Sequence, residues 1–508
     1  MRRSVAWVVL FCLIQFVICS LTFAGIDFSD YQELSCEKFI ADAIDKDPEF
    51  VGALQTYLGA KYDMLSAKSI AAWTFGAQGG LERSQSVSGS NFEPNRTDSY
   101  FYEVSLEKLF LTTGTRFKLS HGNALSEMKY NANPTPYTPA YTEERSSPSI
   151  TVSVIQPLVK NAFGLADRFP VKAVKLQVKS AELDVKEAWE NRIAKLYDAY
   201  LLWIAAYENT IALQEIVADS KRMEKQIKRK VNAKVSERTD FLLAREAVLN
   251  YQGRLIQAEG DFISSTINIT SLRLGRAVTS NDISKIKPVP CTLGFPSKKE
   301  MSNGHKVNVS KLRLVRQLDY LGKQLEENIR VAKNDRLPSV DVVGEYTKKA
   351  RSDDNSGGYS ELENDNREDY MVMLQLKYPI GSQKARGDLG KAKADLTEVE
   401  ASIKSTRQSL SLALQQMKES IVRLEQVLDL LEERVENAEE KLKLDTRNYR
   451  IGRLDTRYLI DSRNTLTNVR LQKVQTEIEL NQLYIDYLST ADKMLKRFPD
   501  VMKRIEVK

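Results

Sequence analysis

Cysteine and histidine are scarce in this 508-residue chain, which has four cysteines and two histidines. His121 and His305 both lie in polar stretches, and no two cysteines have the spacing of a zinc site. Residues 387–391 contain two glycines and a lysine but lack the spacing and the Ser/Thr of a phosphate-binding loop. The sequence gives no sign of an enzyme, and we expect no cofactor and no bound metal.

Long apolar runs are absent beyond the N-terminus. The chain begins Met-Arg-Arg, residues 5–23 are mostly apolar, and small residues follow at Ala24 and Gly25. This pattern is typical of a secretory signal peptide cleaved near Ala24. No later stretch has eighteen or more apolar residues, so we predict no transmembrane helix in the mature chain. Export leaves Cys36 and Cys291 in an oxidising compartment, where they either form a disulfide or remain separate thiols.

An excess of one charge sign is also missing. The chain has 74 Lys and Arg against 68 Asp and Glu, a net charge of +6, and the two signs alternate through the helical segments. This balance favours solvated helix faces over a nucleic-acid-binding surface.

Glycine and proline are missing from two long segments. Neither residue occurs from Val171 to Gln252, and Gly452 is the only one between Lys391 and Phe498. A lone glycine between two helical patterns predicts a hairpin tip, because glycine tolerates a left-handed turn. An uninterrupted helix over 391–451 would be roughly 90 Å long. The first long segment has its own predicted tip near residues 231–238, where the apolar pattern lapses.

The second long segment carries a coiled-coil pattern before its tip. Seam residues, apolar except for a threonine, alternate steps of three and four at Leu396, Val399, Ile403, Thr406 and Leu410, and the pattern resumes from Leu414 to Leu442. Taken alone, this pattern indicates a dimeric coiled coil or a spectrin-like rod. A periplasmic or surface scaffold without a pore is therefore one hypothesis for function.

Other segments alternate with a period of two and are predicted strands. They cover residues 70–76, 100–111, 115–120, 150–158, 340–346 and 371–378, with polar stretches at 83–99, 122–148 and 348–369. Thr113 and Gly114 split one of these segments and predict an extra tight hairpin. Pro157 and Pro379 stand at predicted strand–helix joints, where a first helical turn does not need the missing N–H.

The order helix, strand, polar loop, strand and long hairpin occurs twice, which indicates an internal two-fold repeat. Residues near the first tip align with residues near the second at a constant offset, as Thr239 does with Thr456. We predict a signal peptide at 1–24, a first repeat at 25–275, a linker at 276–303, a second repeat at 304–498 and a tail at 499–508.

Several motifs in this order resemble the TolC-like outer membrane efflux proteins. They are Gln156-Pro157-Leu158, the run from Arg336 to Val340, Tyr449 with Gly452 three residues later, and the two hairpins. The resemblance covers nearly the whole mature chain. It implies a mixed α and β fold, with a long α-helical coiled-coil barrel and a transmembrane β-barrel shared among the subunits of a homotrimer. The extra hairpin leaves four or six strands per chain as alternatives.

The resemblance also implies a place and a function. The protein would lie in the outer membrane of a Gram-negative bacterium, in contact with outer membrane lipid, with a periplasmic helical extension. It would be the passive exit duct of a tripartite efflux or type I secretion system. Its partners would be a periplasmic adaptor protein and an inner-membrane transporter, with no nucleic acid.

In the family, the hairpin tips close the periplasmic mouth through polar links. One link joins an Asp of the first hairpin to a Tyr of the second, and these positions match Asp240 and Tyr449. Another joins a Thr to an Arg, and Thr239 matches the Thr. Leu454 occupies the Arg position here, and Arg453 lies next to it.

An acidic ring at the constriction would fall on Asp461, while Tyr458 occupies the place of the other acidic residue of the family. Three copies of Asp461 would form a ring of like charge that attracts cations. The alternative is that the polar residues of both tips only cap helices or meet water.

Overall fold

The computed structural model describes most of the mature chain, namely residues 26–86, 93–130, 141–279, 285–290, 307–353, 357–364, 367–378 and 380–498. The predicted signal peptide, Cys291 and Pro379 lie outside these ranges, so the predictions about them stay predictions. The chain divides into two compact units. The first contains residues 1–54, 185–312 and 408–508, and the second contains 55–184 and 313–407.

Helices make up most of the described chain. They are α1 (Cys36–Lys46), α2 (Pro48–Lys68), α3 (Leu165–Asn232), α4 (Arg238–Leu274), α5 (Arg313–Asn334), α6 (Gly357–Asn364), α7 (Gln383–Arg450) and α8 (Thr456–Thr490). The two segments that lack glycine and proline form the hairpins α3–α4 and α7–α8, as predicted. Among the described helices, none combines the length and the apolar character that a membrane span needs.

Within the described residues, eight strands accompany the helices. They are β1 (Gln32–Leu34), β2 (Thr74–Gln85), β3 (Pro94–Phe110), β4 (Thr115–Tyr130), β5 (Tyr141–Pro157), β6 (Ile286–Pro288), β7 (Ser339–Lys349) and β8 (Glu368–Lys377). β1 and β6 form a small parallel pair, so part of the predicted linker is a strand. The other six form one antiparallel sheet in the order β2-β3-β4-β5-β7-β8.

The predicted extra hairpin is confirmed. β3 ends at Phe110 and β4 begins at Thr115, and Gly114 between them has φ of 74°. The described part of the chain therefore contributes six strands to one sheet. Whether four or six of them belong to a shared barrel stays a prediction.

The strands are longer than predicted, because much of two polar stretches joins the sheet. Residues 83–85 and 94–99 extend β2 and β3, and residues 122–130 and 141–148 extend β4 and β5. Polar side chains pair across these extensions, as in the 2.5 Å contact of Arg83 Nε with Asp98. The loop predictions at 83–99 and 122–148 are wrong there, since ladder pairing needs no apolar side chain on either face.

The joint after β5 also differs from the expectation. Pro157 is the last residue of β5 and pairs with Asp341 of β7. A short 3₁₀ turn at Ala162–Gly164 follows, and α3 begins at Leu165. Pro157 therefore ends a strand and does not occupy the first turn of a helix.

In the first unit, the N-terminal segment packs on the long helices. The ring of Phe39 stacks on Tyr200, with 5.9 Å between ring centroids. The Tyr200 hydroxyl lies 2.7 Å from the carbonyl oxygen of Leu34 and accepts a hydrogen bond of 3.1 Å from the N–H of Val289. One buried tyrosine on α3 thus holds the strand pair β1–β6 against the hairpin.

The second hairpin buries part of the predicted seam within its own chain. Leu414 and Ile421 of α7 form an apolar cluster with Leu480, Tyr484 and Tyr487 of α8. Other seam residues border this cluster, namely Leu410, Met417, Leu424 and Leu428. The seam packs against α8, while a coiled-coil barrel and an internal repeat stay predictions.

Candidate gate at the hairpin tips

Both hairpin tips close with the same backbone pattern. In the first tip, the N–H of Val235 donates to the carbonyl of Lys230 at 2.9 Å, and Lys234 has φ of 57°. In the second, the N–H of Arg453 donates to the carbonyl of Asn448 at 2.9 Å, and Gly452 has φ of 74°. Each tip is a helix C-terminus closed by a six-residue hydrogen-bonded loop, and the fifth residue of that loop is left-handed. Gly452 lies in the turn of the second tip.

The helix bounds on both sides of the tips correspond residue by residue, while the far ends of α4 and α8 do not. α3 and α7 both have 68 residues, and their first residues are 165 and 383, a difference of 218. α4 and α8 begin at 238 and 456, again a difference of 218. The alignment of chemically similar side chains, such as Thr239 with Thr456, has an offset of 217 residues. It therefore differs by one residue from the alignment of the helix starts.

Tyr449 is the most buried of the predicted gate residues, with 6% of its surface exposed. Its ring lies in an apolar cluster with Met223, Ile227, Ala244 and Leu459. The ammonium of Lys230 stands 3.9 Å from the ring centroid, a cation–π distance. The Tyr449 hydroxyl is buried and has no hydrogen-bond partner within the described residues.

Asp240 is engaged locally, at the start of α4. Its carboxylate accepts a hydrogen bond from the hydroxyl of Ser236 and one of 3.3 Å from the N–H of Glu237. These bonds satisfy a backbone donor of the first turn, as a capping box does. The structure therefore places Asp240 and Tyr449 at adjoining tips without a hydrogen bond between them.

Both residues of the predicted second link lie at the surface of their tips. Thr239 is exposed in the first turn of α4, and Arg453 is exposed in the turn after Gly452. Leu454, which occupies the family position of the arginine, packs at the border of the cluster around Tyr449. An apolar contact stands where the resemblance implies a polar one.

Asp461 lies on α8 and faces a groove between α8 and α4. The groove has a volume of about 400 Å³ and is mostly polar, with Glu246, Asn250, Arg254, Arg457, Asn464 and Asn468 among its lining residues. Asp461 is exposed. Its side chain is free to present a negative charge to solvent, as a constriction ring requires.

Two polar features of this hairpin bundle have no clear signal in the sequence. Lys230 is one of several lysines near the end of α3, and nothing in the pattern marks it as the partner of Tyr449. Asp198 of α3 and Asp486 of α8 lie close enough to repel each other. Burial, and then the charge of Asp486, raises the pKa of Asp198 to about 6. Burial also raises the pKa of Asp486.

A family model described as outer membrane efflux protein matches residues 318–485. The chain resembles the outer membrane efflux proteins. The matched segment contains β7, β8, α7 and most of α8, and with them Tyr449, Gly452 and Asp461. The resemblance predicted from the sequence motifs is thereby confirmed. No curated protein has a significantly similar sequence.

Solved structures of outer membrane channels have the same fold as this efflux-protein-like chain. The outer membrane protein VceC of Vibrio cholerae is 13% identical, with a TM-score of 0.64 over 90% of this chain and 96% of its own. The CmeC channel of Campylobacter jejuni is 13% identical, with a TM-score of 0.64 over 94% and 92%. The open-state MtrE channel of Neisseria gonorrhoeae is 15% identical, with a TM-score of 0.64 over 91% and 89%.

Proposed function

We propose that the protein is the outer membrane channel of a tripartite efflux or type I secretion system. In this proposal three chains form a passive conduit, and the periplasmic tips of the helical hairpins gate it. An inner-membrane transporter delivers the cargo, and a periplasmic adaptor docks on the hairpin tips. The resemblance to outer membrane efflux proteins and the fold of known outer membrane channels support this proposal.

The observation that carries the proposal is the sheet's exposed apolar surface. On β8, Tyr370 and Val372 are 85% and 79% exposed, and on β2 at the opposite edge Phe75 is 69% exposed. Large apolar side chains at both edges of one sheet are costly in water. In lipid they are favourable, provided that other strands satisfy the backbone groups of the edges. A rod-shaped scaffold has no use for such a sheet.

The tips supply the parts of a gate. The unpaired hydroxyl of Tyr449 and the carboxylate of Asp240 belong to adjoining hairpins, and a side-chain rotation of Asp240 away from Ser236 would free an acceptor for that hydroxyl. One such hydrogen bond contributes about 1 kcal/mol net, and three copies contribute roughly 3 kcal/mol. At 1.4 kcal/mol per factor of ten, this bias holds the mouth closed and leaves a docking partner able to open it.

The test is the native mass of the protein extracted by detergent from outer membrane fractions. We expect the mass of three mature chains and ion conductance after reconstitution into planar bilayers. A monomer or dimer that remains soluble without detergent would contradict the channel and favour the scaffold.

A further inference from the structure

We propose that all six strands of each chain belong to the wall of the shared barrel, so that three chains close an 18-stranded barrel. The inference rests on the proposed trimeric channel and adds to it the number of strands and hence the width of the pore. It depends on whether the extra hairpin β3–β4 is part of the wall or a flap beside it.

The side chains on neighbouring strands form rows that cross the whole sheet. One row is apolar on every strand and contains Phe75, Leu106, Leu119, Val152, Tyr346 and Tyr370. The next row is small or polar on every strand and contains Gly76, Ser105, Ser120, Thr151, Thr347 and Asp369. Successive residues of a strand point to opposite faces, so one face is apolar and the other polar.

The extra hairpin shares this division between two faces. Leu106 and Leu119 continue the apolar row of their neighbours, and Ser105 and Ser120 continue the polar row. Outward apolar and inward polar residues are the pattern of a membrane barrel wall. A flap beside the barrel would expose the apolar face of β3 and β4 to water. It would also leave unexplained why β3 and β4 continue the apolar and polar rows of β2 and β5.

The turn of the extra hairpin is fixed to the end of β5 and to the segment that follows it. The Gln156 side-chain amide donates to the carbonyl of Thr113 at 3.1 Å. Gly164 approaches the turn so closely that a Cβ on it would lie 2.4 Å from the carbonyl oxygen of Leu111. These contacts hold the turn between β3 and β4 at the same level as the end of β5.

The free edges of the sheet suit a second copy of this chain. Six antiparallel strands place β2 and β8 at opposite edges and in opposite directions, so β8 of one chain continues the antiparallel ladder with β2 of the next. The edges have similar lengths, 12 residues in β2 and 10 in β8. Strands of about this length cross a bilayer. Within the described residues, neither edge has a partner strand in its own chain.

Strand number sets the width of the pore. With strands about 4.8 Å apart and tilted by about 40°, 18 strands give a barrel about 35 Å across between backbones. Four strands per chain would give 12 strands and about 24 Å by the same geometry. Natural barrels of 16–18 strands hold an aqueous channel. The barrel is therefore expected to be wide, so that passage is limited at the hairpin tips.

The extra hairpin also adds charges to the polar face. The ammonium of Lys118 on β4 lies 3.2 Å from Glu103 and 3.5 Å from Glu107 on β3. The side-chain amide of Gln78 on β2 donates to Glu103 at 2.8 Å. In the proposed barrel this cluster lines the water-filled side.

The test is electron cryo-microscopy of the detergent-extracted full chain, with native mass spectrometry of the same sample. A matched variant replaces residues 86–141 by a four-residue turn, which removes β3 and β4. Gln85 and Thr142 lie in the same row of the sheet, so the turn joins β2 to β5 in register. We expect three chains in both samples, and a barrel about 1.5 times as wide in the full chain as in the variant.

The outcomes separate the inference from the proposed function. A trimer with a barrel about 35 Å wide supports the inference, and the full chain alone decides this point even when the variant does not assemble. A trimer with a 12-stranded barrel and β3–β4 outside the wall overturns the inference and leaves the channel intact. A particle without three chains overturns both.

Discussion

The two hairpin tips have nearly the same backbone and very different side chains. The first tip places Lys234, a residue with a Cβ, in the left-handed conformation that Gly452 adopts in the second. The first tip carries the carboxylate of Asp240, which accepts hydrogen bonds from Ser236 and Glu237, and the second carries the buried ring of Tyr449. The loop geometry therefore does not require a particular sequence, and the two side chains do not stand at corresponding positions. At the offset of 218, Asp240 matches Tyr458 and Tyr449 matches Val231.

This difference suggests a division of roles. The second tip is the packed partner, because Tyr449 lies among apolar side chains of both hairpins under the ammonium of Lys230. The first tip is the adjustable partner, because Asp240 can exchange Ser236 for another donor. In the proposed gate, Tyr449 would stay in place and Asp240 would move to meet it.

The largest effect is expected from removing the proposed latch. Tyr449→Phe combined with Asp240→Ala removes donor and acceptor in all three chains and should shift the gate toward the open state by roughly 3 kcal/mol. This corresponds to about a hundredfold rise in the ratio of open to closed channels. The measurement is the open probability of single channels in planar bilayers.

The control for the latch is Tyr458→Phe, which removes a tyrosine hydroxyl from the same hairpin at an exposed site. It should leave the open probability unchanged. If the double variant also conducts as the wild type does, Asp240 and Tyr449 are not the latch and only cap or fill their tips.

Exchanging the left-handed residues should change the stability of the two tips in opposite directions. Gly452→Ala forces a residue with a Cβ into the left-handed region and should cost about 1–2 kcal/mol. No atom lies within 4 Å of the new Cβ, so the cost comes from the backbone alone. Lys234→Gly relieves the same strain in the first tip and should stabilise it by about 0.5 kcal/mol.

The measurement for both variants is hydrogen exchange at the amides that close the loops, those of Arg453 and Val235. Exchange at Arg453 should accelerate in Gly452→Ala, and exchange at Val235 should slow in Lys234→Gly. Equal changes in the same direction would mean that side-chain packing determines tip stability more than the left-handed residue does.

The sequence predicted the hairpins because long segments without glycine and proline leave few alternatives to a helix. It also predicted the extra strand hairpin, because the Thr113-Gly114 break interrupts an alternating segment. It missed the outer parts of β3, β4 and β5, where polar residues occupy both faces and the period of two carries no apolar signal. Backbone pairing with a neighbouring strand extends these strands, and that pairing is not local information.

The sequence indicated the candidate gate residues only as a set of positions. Matching chemically similar side chains aligned the two hairpins at an offset of 217 residues, whereas their helix starts correspond at an offset of 218. The two offsets differ because different residue types precede the helices at the two tips. Glu237 precedes α4 and Asp455 precedes α8, and both are N-caps. The ring contact of Lys230 and the proximity of Asp198 to Asp486 depend on packing between helices that are distant in the sequence.

A smaller effect, on folding stability, is expected at a position where α3 has a partly buried carboxylate and α7 does not. Asp198 of α3 corresponds to the exposed Gln416 of α7 at the offset of 218. Because the pKa of Asp198 is raised to about 6, the folded chain holds this proton more tightly than the unfolded chain. Stability therefore falls as pH rises from about 4 to about 6 and stays lower above that.

The substitution Asp198→Asn should remove this loss of folding stability at higher pH. After allowance for partial exposure, we expect a gain of about 1 kcal/mol at pH 7.5 and little change at pH 4. The measurement is thermal unfolding at both pH values, with the exposed carboxylate variant Asp63→Asn as control. A gain of the same size at pH 4 would point to better packing of asparagine and not to the acidic pair Asp198–Asp486.

The smallest effect is expected on cation preference, from a pair of corresponding positions on α4 and α8 that line the same groove. Asp461 of α8 corresponds to Leu243 of α4, and both residues line the groove between these helices. Removing one exposed charge per chain with Asp461→Asn should lower the preference for cations about twofold, since solvent screens most of its field. Reversal potentials in a salt gradient measure this preference. Glu246→Gln removes a second carboxylate from the same groove, on the other helix. If Asp461 forms the constriction ring, only its variant changes the preference, whereas equal effects of both variants would assign the selectivity to the charge of the groove as a whole.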